Sequence, residues 1–371
     1  METEDSQTPG WPLEQIYFYL TRGCNLRCRH CWIAPGFQTE AQSWPSLDLE
    51  LFRSIIRQAK PLGLSGVKLT GGEPLIHPRI SDIIDQVCRE DLSLTVETNG
   101  VACTPDLARA MKTCKDAFVS VSLDAAEATA HEWMRGVKGC FDSAISGIRN
   151  LVDAGLRPQI IMSLVRRNQN QMERIVRLAE TLGAESVKFN LVQPTARGEQ
   201  MHLHGETIPI SELIALGRWV EEELSATAKI RVSYSHPAAF RPLGKMFGQT
   251  GDGCAECGIF GILGVLADGS YALCGIGETV PDLMFGHSGT DSLENVWNNS
   301  TVLKEIRSGL PQRLTGICRD CLMKSICLGS CIAQNYYHSA SFWSPFWYCH
   351  EAEKCGLFPE TRTYRTPHSQ R

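Results

Sequence analysis

Three cysteines, Cys24, Cys28 and Cys31, stand within RGCNLRCRHCW (residues 22–32) at the spacing C-x3-C-x2-C. Three is an odd number for thiol chemistry. A closed structural zinc site takes four ligands, and disulfides consume cysteines in pairs. Three thiolates with one coordination position left open suit an iron–sulfur cluster in which one iron accepts another ligand. The spacing alone also admits a zinc knuckle completed by His30 or by a distant residue.

Eleven of the sixteen cysteines fall into clusters: these three, then Cys254, Cys257, Cys274, Cys318, Cys321, Cys327, Cys331 and Cys349. Secreted mini-proteins use such numbers for disulfides, but this chain has 371 residues and an acidic, polar start, METEDSQTPG, without the basic and apolar regions of an export signal. A cytoplasmic location is the default, and clustered cysteines there are metal ligands more often than disulfides. Cys88 and Cys114 fall in helical patterns and read as buried small hydrophobes. The net charge of −5 gives no electrostatic footprint for nucleic acid, and no apolar run is long enough to span a membrane.

The elements that must position these thiols alternate. Strand-like runs at 15–20, 65–70, 92–100, 117–124, 157–165 and 186–192 are interleaved with helical patterns at 47–60, 79–90, 106–113, 141–155 and 171–183. Six such strands in series imply an α/β fold with a parallel sheet and right-handed crossovers, an open barrel or a doubly wound sheet. Either puts its chemistry at the C-terminal ends of the strands. The polar signals collect there: the cysteine loop after strand one, GGEP after strand two, ETNG ending strand three, SLD ending strand four and Asn190 ending strand six. Residues 195–253 read as a bridge with a helix near 211–226. From Cys254 the pattern turns to short segments and cysteines, a small second domain dependent on metal. The tail ETRTYRTPHSQR reads as disordered.

The cysteine loop resembles the signature of the radical S-adenosylmethionine (radical SAM) enzymes, C-x3-C-x-aromatic-C, and TGGEP at 70–74 resembles their second motif. The resemblance covers about residues 13–234 and implies a partial (β/α)6 TIM-like barrel. It also implies a [4Fe–4S] cluster on Cys24, Cys28 and Cys31 whose fourth iron takes the amino and carboxylate groups of S-adenosylmethionine. One electron then cleaves that molecule to a 5′-deoxyadenosyl radical, which abstracts a hydrogen from substrate. Gly71 and Gly72 have no Cβ to hold a ligand off, and Glu73 can accept a charge-assisted hydrogen bond from the ligand's ammonium. Asn99, Ser122 and Asp124 sit where the family contacts the ribose and methionyl end, though each residue type also caps turns. The aromatic position is His30 here, whose imidazole can stack on adenine.

The C-terminal set, C-x2-C-x5-C-x3-C at Cys318, Cys321, Cys327 and Cys331 with Cys349 beyond and Gly269, Cys274, Cys254 and Cys257 before, resembles the SPASM domain, over about residues 250–350. Eight thiolates suffice for two fully ligated [4Fe–4S] clusters; two structural zincs are the alternative. The family's interleaved pattern implies Cys254, Cys257, Cys274 and Cys331 on one cluster and Cys318, Cys321, Cys327 and Cys349 on the other. The resulting organisation is a barrel over 13–234, a SPASM domain over 235–355 and a disordered tail over 356–371. Between Cys331 and Cys349 lie seven aromatics, read chiefly as packing for a domain with little core.

Families with this layout mature peptides and proteins, so the expected substrate is a ribosomally made peptide in which C–H abstraction forms a thioether or carbon–carbon crosslink. Sulfatase maturases carry an aspartate directly after the cysteine matching Cys274; Gly275 stands there instead, which argues against that branch. Strand one begins at residue 15, so no built-in leader-binding module is expected, and a separate leader-binding protein and a flavodoxin- or ferredoxin-type reductant are the expected partners. The rivals are an enzyme acting on a tetrapyrrole or other small metabolite, an epimerase with Cys103 as hydrogen donor, and a non-enzymatic electron-transfer protein.

Overall fold

A computed structural model describes residues 10–39, 41–248 and 257–364. Seven strands run parallel in sequence order: β1 (Gln15–Tyr19), β2 (Gly66–Thr70), β3 (Ser93–Thr98), β4 (Lys115–Ser122), β5 (Gln159–Leu164), β6 (Ser186–Leu191) and β7 (Arg231–Tyr234). The first six are those expected from the sequence. Each is followed by helix: α1 (Leu49–Ala59), α2 (Ile80–Arg89), α3 (Pro105–Lys112), α4 (Ala128–Arg135) with α5 (Cys140–Asp153), α6 (Met172–Leu182), and then α7 (Ala196–Leu203) with α8 (Ile210–Trp219). The result is an open, partial TIM-like barrel.

The strand register explains how one sequence serves two faces. Phe18, Leu69, Val96, Val121, Met162 and Phe189 are at 0% exposure and pack in one cluster with Phe52, Ile55, Ile83, Ile148 and Ile175 of the surrounding helices. The alternate positions, including Tyr17, Lys68, Glu97, Ser120, Ser163 and Asn190, line the barrel interior. Local signals start the helices. Asp48 accepts from the amides of Glu50 and Leu51 at the head of α1, and Thr104 caps α3 ahead of Pro105.

The sheet continues past both ends of the six-strand unit. β7 extends it on one side. On the other, β8 (Ile262–Val265) pairs parallel with β1, followed by antiparallel β9 (Ser270–Ala272) and β10 (Met284–His287). The C-terminal region therefore shares the barrel's sheet across the boundary expected at 234/235. The sequence reading missed α4 and α7, and the helix expected to reach residue 226 changes at Val220–Leu224 to a π-turn.

Two further expectations are corrected. Cys88, on α2, and Cys114, just after α3, form a disulfide, their Cα atoms 4.5 Å apart. They are a cross-link between neighbouring helices rather than plain apolar fillers. The tail is ordered through residue 364, because its extended chain pairs with the segment around Cys321: the Leu322 amide donates to the Arg362 carbonyl and the Tyr364 amide to that of Asp320. Residues 365–371 lie outside the described residues. Among the described residues no helix is long and apolar enough to cross a membrane.

Candidate active site

The cysteine loop leaves β1 and is pinned from three sides. Backbone pairing joins Gly23–Cys24 to Gly36–Phe37. The GGEP turn after β2 reaches in from the second side, Gly72 N–H donating to Thr21 O (2.8 Å) and Glu73 N–H to Gly23 O (3.0 Å). From the third, Arg197 at the start of α7 donates to the carbonyls of Cys28 (3.3 Å) and Pro35 (2.7 Å).

The glycines at 71 and 72 serve a different neighbour from the expected one. A Cβ on Gly72 would lie 1.9 Å from the Gly23 carbonyl oxygen, and Gly71 has φ +123° against the Tyr19–Leu20 backbone. The close approach is made to the cysteine loop itself, although both residues also face the cavity. Glu73 is 1% exposed, and its carboxylate is already engaged: it accepts from Leu75 N (3.0 Å), Thr98 Oγ1 (2.6 Å) and Asn99 N (2.8 Å). Burial raises its pKa, with those three donors opposing. Glu73 is first a strut between the ends of β2 and β3, with about one lone-pair site left for a ligand.

Asn99 lines the cavity with its amide donating to Asn25 Oδ1 (2.7 Å), and Ser122 lines it from the end of β4. Asp124 is turned away and fully buried. One carboxylate oxygen accepts from Ser163 N (2.9 Å), and the other meets Arg135 Nε at 2.7 Å. Burial would raise its pKa, but Arg135 and then the nearby histidines outweigh that and hold it below the usual carboxylate range. Asp124 is thus an anchor for Arg135 and not a ligand contact.

Arg135 is the residue the sequence reading passed over. It ends α4, is 5% exposed, and its Nη1 donates to Cys28 Sγ at 3.5 Å. Burial pushes the Cys28 thiol up to about 11, with Arg135 pulling the other way. His30 is half-buried in the cavity wall. Burial draws its pKa down to about 4, so the ring is neutral, and its enclosed Nδ1 has no hydrogen-bond partner. The apolar spacing of α4 closed by Gly136 at φ 73° was the available signal for that helix.

Cys24, Cys28, Cys31, His30, Gly71, Gly72, Glu73, Asn99, Ser122 and Arg135 share one cavity of about 410 Å³. Its other wall carries Cys257, Cys274 and Cys331. Cys318, Cys321, Cys327 and Cys349 gather separately around a tight apolar space bounded by Leu314, Ile317 and Phe358, the Cys318 and Cys349 thiols hydrogen-bonded. Cys254 lies outside the described residues. Cys103 is 3% exposed, absent from the cavity wall, and pushed up to about 12 by burial. It is not placed to donate a hydrogen to a substrate there. Gly275 is required by packing: a Cβ would lie 2.3 Å from the Tyr19 ring, so no aspartate fits at that position without moving it.

The donor set suits clusters. Cys24, Cys28 and Cys31 are three thiols lining one roomy cavity, a donor set that an iron–sulfur cluster with one exchangeable ligand takes.

Residues 18–179 match the radical SAM superfamily, and residues 254–322 match an iron–sulfur cluster-binding domain, SPASM. The chain carries a radical SAM domain and, C-terminal to it, a SPASM domain. This radical SAM–SPASM protein is an enzyme of oxidoreductase type whose cofactors are [4Fe–4S] clusters and S-adenosylmethionine. It is 26% identical over 345 residues to the AdoMet-dependent heme synthase of Methanosarcina barkeri, covering 90% of this chain and 95% of that one. It is 27% identical over 325 residues to the mycofactocin maturase MftC of Mycobacterium tuberculosis, covering 86% and 78%. In fold it resembles Streptococcus suis SuiB, solved bound to S-adenosylmethionine and to precursor peptide SuiA: TM-scores 0.70 and 0.69 at 17% and 16% identity. Those matches span 92% and 91% of this chain and 77% and 75% of the SuiB chains.

Proposed function

We propose that this radical SAM–SPASM enzyme oxidises an unactivated C–H bond of a ribosomally made peptide to form a thioether or carbon–carbon crosslink. The observation that carries this is the single 410 Å³ cavity walled by Cys24, Cys28 and Cys31 on one side and by Cys257, Cys274 and Cys331 on the other. A substrate held there lies between two sets of thiol ligands, as an oxidation that must release electrons asks. The relatives include a maturase, MftC, and a fold neighbour solved with a precursor peptide.

Cys24, Cys28 and Cys31 would hold the cluster that binds S-adenosylmethionine. Cys254, Cys257, Cys274 and Cys331 would hold the nearer auxiliary cluster, and Cys318, Cys321, Cys327 and Cys349 the farther one. When bound, these groups supply a one-electron route to a carbon radical that takes hydrogen from substrate. The chain does the rest. Gly71, Gly72 and Arg197 fix the cysteine loop, Asn99 and Ser122 offer polar contacts along its rim, and His30 presents a neutral ring for stacking on adenine. Glu97 stands ionised on the cavity wall: burial would raise its carboxyl, but the Lys68 ammonium 2.9 Å away outweighs that. Peptide would be delivered with or without a separate leader-binding protein, and electrons by a flavodoxin- or ferredoxin-type carrier.

A second reading, action on a tetrapyrrole, is favoured by the heme synthase relative, whose length the match nearly spans. The test reduces the anaerobic holoenzyme with S-adenosylmethionine and the product of any short cysteine-rich open reading frame found beside its gene. Peptide-dependent 5′-deoxyadenosine and loss of two hydrogens from the peptide are expected. Turnover of a tetrapyrrole with an inert peptide would overturn the reading, and no 5′-deoxyadenosine with intact clusters would remove the enzyme.

A further inference from the structure

The cysteine loop has a second face. Leu26, Cys28 and His30 line the reaction cavity, whereas Arg27 and Arg29, which alternate with them, do not and stand exposed. Backbone bonds to α4 fix that alternation: the amides of Arg27 and Arg29 donate to the carbonyls of Arg135 and Met134, both at 2.9 Å. The outer side of the loop therefore turns two guanidinium groups to solvent, with Cys28 between them in the chain.

Aromatic rings hold these groups in place. Arg27 lies over Phe37, 3.9 Å from the ring centre, and Arg29 over Trp133 at 4.5 Å. Arg167, exposed just after β5, packs on the same indole at 4.6 Å. Stacking on a ring leaves the N–H edge of a guanidinium free to meet an acid. Glu206 pairs with Arg29 at 2.7 Å, and Glu132, beside Trp133, is turned to accept from the Gly139 amide (2.7 Å). Among the described residues neither Arg27 nor Arg167 has a carboxylate partner. In a chain of net charge −5 this is a local excess of positive charge, set where it acts on what approaches from solvent.

Charge complementarity asks for an acidic occupant. Position asks for one that needs Cys28 and not the cavity, since the loop itself stands between this face and the space where substrate is held. Cleavage of S-adenosylmethionine consumes one electron, which must reach the cluster from another protein, and electron transfer weakens steeply with distance. We infer that Arg27, Arg29 and Arg167 around Trp133 form the docking surface for an acidic one-electron carrier. The carrier delivers its electron at Cys28 and not through the C-terminal cysteines. It is oxidised by one electron and the cluster reduced by one, and no bond forms or breaks in that step. Such encounters bury little surface and are transient, which a compact platform of two rings and three arginines suits. The surface rests on the radical SAM chemistry and is independent of whether the substrate is a peptide or a tetrapyrrole.

The experiment drives the anaerobic holoenzyme with dilute reduced acidic flavodoxin, so that encounter limits the rate, and reads 5′-deoxyadenosine formed from S-adenosylmethionine. Reduced methyl viologen, too small to need a docking surface, is the comparison donor. Binding of oxidised flavodoxin to the same holoenzyme is measured separately by titration calorimetry. In R27Q/R167Q the flavodoxin-driven rate is expected to fall about tenfold at low salt, and the gap to close as salt rises. Flavodoxin binding should weaken in parallel, while the rate with methyl viologen is unchanged. R27K/R167K keeps both charges and is expected to restore rate and binding. A flavodoxin rate and affinity unchanged in R27Q/R167Q, or failure of flavodoxin to drive the wild type, overturns the surface. So does equal slowing with both donors, which would place the effect on the cluster. A lysine variant as slow as the glutamine one overturns it as well, because charge would not be what the carrier reads.

Discussion

The buried pair Asp124–Arg135 permits a quantitative test. The two groups meet at 2.7 Å with side chains 0% and 6% exposed. At an effective dielectric constant of about 20 their attraction is about 6 kcal/mol. Desolvating two ions offsets several kcal/mol of this, so the pair as a whole contributes little net stability. Removing one partner is another matter, because it strands an ion without water. Arg135→Met leaves Asp124 with only the Ser163 amide on its carboxylate and should cost about 3–5 kcal/mol locally. Asp124→Asn combined with Arg135→Met removes both charges and should recover most of that loss. Hydrogen exchange of α4 and the end of β4 in the anaerobic holoenzyme is the assay: protection should fall about a hundredfold or more in R135M and return in the double variant. The sign with pH is fixed. The folded Asp124 carboxyl lies below its unfolded value, so the ionised pair contributes fully above the unfolded pKa and is lost only as pH falls through the folded one. The penalty should therefore be flat from roughly pH 6 to 8. A single-variant loss under about 1 kcal/mol, or a double variant no better than R135M, would refute the assignment of Arg135 as the charge that Asp124 requires.

Gly72→Ala must push the GGEP turn and cysteine loop apart by roughly 1 Å, a cost of about 1–3 kcal/mol. It should also weaken iron retention at Cys24, Cys28 and Cys31, read by iron content. Gly139→Ala, strained at φ 79° but with nothing within 4 Å of the added Cβ, should retain its iron. Cys28→Ala should abolish cleavage of S-adenosylmethionine while leaving the C-terminal iron bound, read by 5′-deoxyadenosine and metal analysis. Cys321→Ala should lower iron by one cluster and loosen the region around Cys318 and Cys349, because metal binding and folding are coupled there; unchanged iron would contradict the grouping. Gly275→Asp should destabilise the fold against the Tyr19 ring, and adding Tyr19→Ala should relieve it, measured by thermal unfolding.

The sequence made legible what depends on spacing and period. Apolar alternation located six strands within a few residues. Spacing alone put Cys331 with Cys318, Cys321 and Cys327, whereas it lines the cavity with Cys257 and Cys274, a parting implied only by the resemblance. Partnership at a distance was not legible. Asp124 carries the right residue type at the right strand end, yet its carboxylate is spent on Arg135, eleven residues on and at the end of a helix whose short, alanine-rich pattern is weak. Arg197 was invisible for the same reason. Gly72 was read as a close approach to a ligand, whereas what it approaches is the Gly23 backbone, a tertiary fact. β7 and β8 were missed because four-residue strands beside turns give too short a period to count.

The pairing of β8 with β1 has a practical corollary for anyone wishing to work with the barrel alone. Cutting the chain ahead of residue 257 would strip one side of Gln15–Tyr19 of its neighbour and leave a row of bare amides and carbonyls beside an apolar core. Such an edge invites other copies to add to it. The truncated product should aggregate, and the catalytic loop that springs from Tyr19 would lose its footing with it.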